Sequence, residues 1–518
     1  MNFTKLIPSN NSLLPIVNEK SLCICIIFIS FLFGISRIGL SQSEDYGVFL
    51  SIFGFVAKGV PLYSGVFEMK DPLFLLFGSL LFSVFGSKGP FLFEIILFPI
   101  SGYLSYKFAR DIYFSQFIAL ISSIIFVATL SGGFYGTGRS TIFATVLIIA
   151  TLFTSRKNCF YTTGFLVAMI VGFKMPYILM SISIIIIVFK NNYNKIQNFD
   201  ILLKIIVGFS IGITTIFSLL LVRGELLPYF DMVIENFRYR NIYLEVIGHT
   251  KGLSGHLNTF ITYTNFNYYI YVFLSLYSLF LSLFFKNDVE IISLISITCL
   301  SLLVLVFLSL SAMWPHHFQI LSVYVWAISL LAFNTLSCLF SSVHKKLIID
   351  SKFIQFFYGF IIFSLFLVLL ISLNGSKTTF TFFNFNNILN IYTFKWNEAP
   401  EVKALDTAYN KNGGDKTFAR LGANDDSGFG AFIAKDWHLS CPRAYQYGHE
   451  SFETANKTIL CVKTLPRYVI VSPFFYQLNR SAGTYNEFKK EINLILNDKF
   501  TCSPVNEWEN ARICIRKI

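Results

Sequence analysis

Three stretches near the start of the chain carry residue types that could do chemistry. They read Glu44-Asp45-Tyr46-Gly47-Val48-Phe49-Leu50, then Lys58-Gly59-Val60-Pro61-Leu62-Tyr63, then Phe67-Glu68-Met69-Lys70-Asp71-Pro72-Leu73. Carboxylates just beyond a long apolar run are followed by a Gly-x-Pro turn and then by a Lys close to a Pro. A carboxylate can accept a proton and an ammonium can hold an anion, so the set has the parts of a polar site. Charge this close to hydrocarbon is costly, and function is its default explanation. Three further positions join them: Lys174 in Gly172-Phe173-Lys174-Met175-Pro176, Arg139 in Gly136-Thr137-Gly138-Arg139-Ser140, and His316 in Trp314-Pro315-His316-His317-Phe318.

The elements that must position these residues are membrane helices. Of 518 residues, 54% are hydrophobic, 18% aromatic and only 14% charged, whereas a soluble domain carries about 25% charged residues. Mean hydropathy is +0.61. A net charge of +12 could attract nucleic-acid phosphates. Up to position 352, however, most Lys and Arg sit singly or in pairs at the ends of apolar runs, where they fix orientation in a bilayer. Nucleic acid is therefore not an expected partner.

A hydrocarbon core of about 30 Å needs roughly 20 apolar residues per helix. About eleven spans are expected, near 21–40, 89–108, 115–132, 140–155, 159–173, 175–189, 201–222, 268–285, 291–311, 318–340 and 353–373. The first, preceded by Lys5 and Lys20 and without a convincing cleavage site, reads as retained. The fifth and sixth form a hairpin around Lys174, Met175 and Pro176. With a cytoplasmic N-terminus, the inner connections hold Lys107 and Arg110, Arg156 and Lys157, Lys190 and Lys195, Lys286, then Lys345, Lys346 and Lys352. Every inner loop is positive, as the orientation rule requires.

The outer side then receives 41–88, 132–139, the Lys174 tip, 223–267, the turn at 314–317 and everything after 374. Nearly all the chemically interesting residues lie there. Within the first outer segment, 47–58 and 73–86 read as helices lying at the interface. The alternative, a short span at 73–86, reverses the charge bias of the next four loops.

The expected fold is an all-α polytopic membrane domain at 1–374 followed by a small extracytoplasmic α+β domain at 375–518. In the latter, Tyr468 to Val471 reads as a buried strand, 485–497 as an amphipathic helix and 500–516 as a hairpin. Cys441, Cys461, Cys502 and Cys514 fall there, and an even number outside the cytoplasm points to disulfides. Of three possible pairings, Cys441 with Cys461 and Cys502 with Cys514 is favoured, because the latter two flank the hairpin turn. Cys23, Cys25, Cys159, Cys299 and Cys338 lie in or beside spans as small hydrophobes.

In the first outer segment the chain resembles the GT-C superfamily of membrane glycosyltransferases, in the branch of bacterial protein mannosyltransferases and aminoarabinose transferases. Asp45, Gly47 and Leu50 match an Asp-x-Gly-x-x-Leu pattern after the first helix. Gly59 and Pro61, with Tyr63 one place late, match Gly-x-Pro-Tyr, and Glu68, Lys70, Pro72 and Leu73 match an aromatic-Glu-x-Lys-x-Pro-Leu stretch. Lys174 to Pro176 looks like the family's Lys-x-Pro, Asp231 to Tyr239 (with Asn236) like its second outer loop, and Trp314 to Phe318 like its aromatic-Pro-His-aromatic turn. The resemblance covers roughly residues 20–340.

This resemblance implies transfer of a sugar from a polyprenyl-phosphate donor to a lipid, glycan or protein acceptor at the outer face of a bacterial inner (plasma) membrane. Such a reaction needs a base for the acceptor hydroxyl and cations for the departing phosphate. Asp45 is then the candidate base. Lys70 and Lys174 hold the phosphate as point charges and Arg139 offers a bidentate contact. Glu44, Glu68 and His316 are supporting residues. No cofactor is called for. Many relatives carry a further acid in the 132–140 loop; its absence here speaks against a metal-dependent variant.

Blander readings stand beside these. Asp45 could cap the interfacial helix, Lys70 and Lys174 could be snorkelling anchors, and Arg139 could set topology or meet lipid headgroups. Glu68 could orient Lys70 or do nothing, and Glu44 could be a solvated neighbour of Asp45 or the base itself. Adjacent His316 and His317, without ligands at zinc spacing, fit a structural turn better than a metal. The rival class is a transporter or lipid flippase. Such proteins tend to show internal repeats and ionisable sites near the bilayer midplane, and here there is no convincing repeat and the charge gathers at one surface. A non-catalytic scaffold is the third reading.

Overall fold

The computed structural model describes residues 18–36, 44–66, 70–112, 115–131, 140–191, 195–235, 294–295, 297–301, 303–304, 319–332, 400–422, 436–441, 452–473, 475, 483–505 and 510–517. Its first part is helical: α1 (Glu19–Ser36), α2 (Glu44–Ala57), α3 (Pro72–Phe85), α4 (Gly89–Asp111), α5 (Gln116–Ser131), α6 (Ser140–Arg156), α7 (Phe160–Lys174), α8 (Ser181–Asn191) and α9 (Lys195–Val222). Expected spans from 21–40 through 201–222 thus coincide with α1 and α4 to α9. The span at 318–340 appears as the apolar helix Leu321–Ala332, and that at 291–311 as helical pieces between 294 and 304. The spans expected at 268–285 and 353–373 lie outside the described residues. By length and hydropathy two helical runs can each cross a membrane, Phe160–Ile186 and Phe199–Val222, or three if the bent pair Pro72–Lys88 and Leu92–Asp111 counts as one. The described residues therefore do not reach the expected eleven.

Close approaches fix the relative direction of two helix pairs. A Cβ on Gly34 would meet the Ile95 carbonyl oxygen at 2.9 Å and one on Gly102 the Ser30 hydroxyl, so α1 and α4 run antiparallel. In contrast, Gly164 lies against Ile205, and Gly172 against Ile216, which makes α7 and α9 parallel. Two parallel helices need a returning segment between them, and α8 supplies it. Although Phe160–Ile186 passes as a single 27-residue run by length, the chain turns back at Lys174, whose backbone is extended (φ −159°, ψ 91°). This is the hairpin expected from the Lys174-Met175-Pro176 sequence.

The opposite end of the bundle gathers charge. Lys107 meets Glu19 at 2.6 Å, Lys157 meets Asp111 at 2.7 Å, and Arg156 donates to the Asp111 carbonyl at 2.9 Å. Lys107, Arg156 and Lys157 are among the residues expected on the inner side, and they share one end remote from Lys174.

Over the Lys174 end lies α3. Phe77 of α3 contacts Phe93 at the start of α4, Phe143 at the start of α6 and Phe173 at the end of α7, with centroids 4.9, 6.1 and 6.1 Å away. One ring of α3 thus touches three helix ends at this end of the bundle. The chain turns by 113° between α3 and α4, so the two do not form one straight helix. The expectation for α2 needs correction. It starts at Glu44 rather than 47, and Phe49, Leu50, Ile52, Phe53, Phe55 and Val56 are all buried, so it is enclosed by protein instead of floating at the interface. Phe53 packs on Phe74 of α3 and Phe55 on Phe418 of the C-terminal sheet.

That sheet joins α10 (Pro400–Asn412), β1 (Thr417–Leu421), β2 (His438–Leu439), α11 (Phe452–Thr464), β3 (Tyr468–Val471), α12 (Gly483–Lys499), β4 (Phe500–Pro504) and β5 (Arg512–Arg516). Its strand order is β2-β1-β3-β5-β4, with β2, β1 and β3 parallel and β5 and β4 antiparallel. The unbroken apolar run Tyr468-Val469-Ile470-Val471 forms the central strand and is fully buried, as strands covered on both faces are. Trp437 is enclosed too, its indole donating to Asp406 at 2.9 Å.

Cys441 is bonded to Cys461, and Cys502 to Cys514. The latter pair sits directly opposite across β4 and β5. Non-reducing peptide mapping of material from an oxidising compartment should recover both links, and free thiols at Cys502 and Cys514 there would contradict them. Loops of this size contribute roughly 3 kcal/mol in the chain-entropy account, so reduction should lower the melting temperature of this unit.

Candidate active site

The Gly-x-Pro sequence is first of all a helix stop. After α2, the Gly59 amide donates to Val56 and the Val60 amide to Phe55, with Gly59 at φ +91°. This is the Schellman pattern, in which a left-handed residue ends the helix and Pro follows because it cannot continue it. The chain then makes a π turn at Leu62–Val66, where Gly65 and Val66 both donate to the Pro61 carbonyl. Tyr63 is buried in this turn. Its hydroxyl donates to the Lys70 carbonyl at 3.0 Å, bridging from the turn to the start of α3.

At that start the structure brings together Lys70, Asp71 and Lys174. Asp71 holds the N-cap position of α3 with Pro72 at the first turn, yet its side chain makes no cap hydrogen bond. Instead the carboxylate accepts the Met175 amide and faces the Lys174 ammonium. Lys70 places its ammonium 5.9 Å from the Phe49 ring centroid. Asp71 as a residue keeps partial contact with solvent. Even so, burial of its carboxyl raises its pKa above the ordinary value, and Lys174, the Met175 amide and Lys70 pull against that rise without cancelling it.

The third contributor comes from the end of α9. Gly224, at φ +69°, ends α9 by the same Schellman arrangement, its amide donating to Leu221 and that of Glu225 to Leu220. The turn points Glu225 inward, where it is 1% exposed. One carboxylate oxygen accepts the Tyr63 amide at 2.8 Å and the other the Arg223 guanidinium at 3.2 Å. Tyr229, in the helical segment 226–235, packs on Tyr63 with centroids 5.2 Å apart. Burial, and then the charge of Asp71, push its phenol up to about 12, so it stays protonated at neutral pH and can donate a hydrogen bond.

The expected site residues are distributed as follows. Lys70 and Lys174 lie near enough to Asp71, at one end of the bundle, for the charge of each to favour its carboxylate. Glu44 and Asp45 form the first turn of α2, where acids favour the helix dipole; their side chains are outside the described residues. Phe49, one turn further on, packs edge-on against Phe74 of α3 at 5.1 Å. Glu68, Arg139 and His316 lie outside the described residues, as does Asn236. Two described neighbours bear on them: Gln319, close after His316, hydrogen-bonds Thr141, close after Arg139. Among the described residues no group of three or more His, Cys, Asp or Glu could hold a metal.

Sequence reasoning passed over Asp71, Glu225 and Tyr229. Asp71 carried a sign of its own, since an acid before a Pro that opens an apolar helix is a helix-start signal. Glu225 carried a clearer sign, since Arg223-Gly224-Glu225 closes a long apolar span with a left-handed Gly.

No family model matches this chain, and no curated protein does. Among solved structures it is similar to an oligosaccharyltransferase from Archaeoglobus fulgidus, tethered to an acceptor peptide containing an NVT sequon. The identity is 12%, with 93% of this chain and 72% of that one covered and a TM-score of 0.48. A likeness at that level carries no weight for either fold family or activity.

Proposed function

We propose that the protein is a membrane glycosyltransferase of GT-C type that moves a sugar from a polyprenyl-phosphate-linked donor to a lipid, glycan or protein acceptor at the outer face of the membrane. The observation that carries this reading is the meeting of Lys70 and Lys174, from separate motifs of the family pattern, beside Asp71 at the end of the bundle opposite the inner charges. Two cations over an apolar bundle suit a phosphate whose lipid tail lies among the helices. Asp45, on the first turn of the helix whose Phe49 ring lies beneath the Lys70 ammonium, is the base for the acceptor hydroxyl. Arg139 joins the two lysines as a bidentate phosphate contact in the proposal, and Glu44, Glu68 and His316 keep their supporting roles. Transport is less well supported, because among the described residues the charged groups gather at the two ends of the bundle and not at mid-depth.

The described C-terminal sheet sits against α2 through Phe55 and Phe418, and Lys58 reaches Asp436 at 3.1 Å. A domain placed there can shape the acceptor side of the pocket. Two experiments test the proposal. Reporters fused after Asn374 should be active only outside the cytoplasm and those after Lys157 only inside; the opposite result would move the site to the wrong face. Comparing lipid-linked and envelope glycans between deletion and complemented strains should show a lost sugar with accumulated polyprenyl-phosphate donor. Unchanged glycans and donor pools would count against transferase activity.

A further inference from the structure

We infer that Glu225 is a positioning residue that sets the phosphate-binding lysine Lys70 through Tyr63; the inference rests on the proposed function. Glu225 is nine-tenths or more buried and both of its oxygens are engaged. A buried carboxylate is costly unless each lone pair is put to use, and here the use is specific. One oxygen fixes the amide of Tyr63, and the Tyr63 hydroxyl in turn fixes the carbonyl of Lys70. Tyr63 therefore holds the chain at two points on either side of 67–69. The anchor itself is rigid, because the Schellman turn at Gly224 leaves Glu225 little backbone freedom.

The relay connects the end of α9 to the start of α3. Because α9 runs parallel to α7, its end lies level with Lys174. Glu225 thus ties Lys70 to the same end of the bundle that presents Lys174. Arg223 balances the carboxylate's charge from the surface side, so Glu225 can serve as a hydrogen-bond acceptor without drawing the Lys70 ammonium away from an incoming phosphate. Neither Glu225 nor the Tyr63 hydroxyl needs to touch the donor.

Titration of the full chain in nanodiscs with farnesyl phosphate, a short soluble polyprenyl phosphate, tests this. Glu225→Ala should weaken binding at least about tenfold, the scale of a lost charge-assisted contact. Glu225→Gln keeps an oxygen for the Tyr63 amide and should retain most of the affinity. Tyr63→Phe removes the hydroxyl that reaches the Lys70 carbonyl and should weaken binding severalfold. In a Lys70→Ala background neither Glu225→Ala nor Tyr63→Phe should cost anything further, because both act through Lys70. A general packing defect would instead add to the Lys70 loss. Wild-type affinity in folded Glu225→Ala, or additive losses in the Lys70→Ala background, overturns the inference. Should Glu225→Ala fail to fold, Tyr63→Phe decides, with unchanged affinity overturning it. Failure of the wild-type protein to bind farnesyl phosphate overturns the phosphate-binding reading itself, and the inference with it.

Discussion

Asp45→Asn is expected to lower sugar transfer at least about 10²-fold while donor binding survives. The substitution preserves size and removes only the ability to accept a proton, and a positioned carboxylate base contributes about 10² to 10⁴-fold. If Asp45 instead served as a first-turn partner of the α2 dipole, the loss would be in stability and worth about 0.3–1 kcal/mol, with turnover intact. The two outcomes separate cleanly when transfer rate and donor affinity are measured on the same preparation. A fall in the rate with unchanged affinity identifies an interaction made only in the transition state. Full activity in Asp45→Asn would dismiss Asp45 and turn attention to Glu44. Chelator should change little in the wild type; abolition of activity by chelation would reveal a metal that the sequence pattern does not provide for.

Much of the scaffold was legible because lipid imposes simple rules on a sequence. Apolar length marked α4 to α9, and charge at run ends marked the shared end of Lys107, Arg156 and Lys157. Gly59-Val60-Pro61 announced a helix stop, and the Lys174-Met175-Pro176 run announced a turn, since both depend on local backbone chemistry. Cys502 and Cys514 followed from hairpin register for the same reason. Contacts between distant segments left no such trace. Glu225 finds the Tyr63 amide across 162 positions, and no periodicity encodes that meeting. Phe55 looked like the apolar face of a helix at the lipid interface; only the fold brings Phe418 onto it. Burial by a remote domain and burial by lipid ask for the same side chain, so α2 could not declare which one it had.

Lys174→Ala is expected to weaken binding of a polyprenyl phosphate at least about tenfold, because it removes one of two charge-assisted contacts, and to destabilise the fold in a pH-dependent way. The second effect follows from Asp71. Its folded pKa lies above the ordinary 3.8, chiefly through burial, so between those two values the folded state binds more protons than the unfolded chain. Stability contributed by the protonated form is greatest below that window and is lost as pH rises through it. Lys174 is the largest influence favouring the Asp71 carboxylate; without it the folded pKa climbs further and the loss deepens at neutral pH. Removing one member of a fully buried pair costs about 3–5 kcal/mol. Asp71 should lose less, because it keeps partial access to water and can take up a proton. Melting temperatures of Lys174→Ala against wild type should therefore differ most at pH 7 or above and converge as the solution is acidified toward pH 4. Adding Asp71→Asn to Lys174→Ala removes the stranded carboxylate and should restore stability at neutral pH, but phosphate-lipid affinity should stay low because the cation is still missing. Recovery of both together would mean that Lys174 serves only to neutralise Asp71, and Lys70 would then have to hold the phosphate without it.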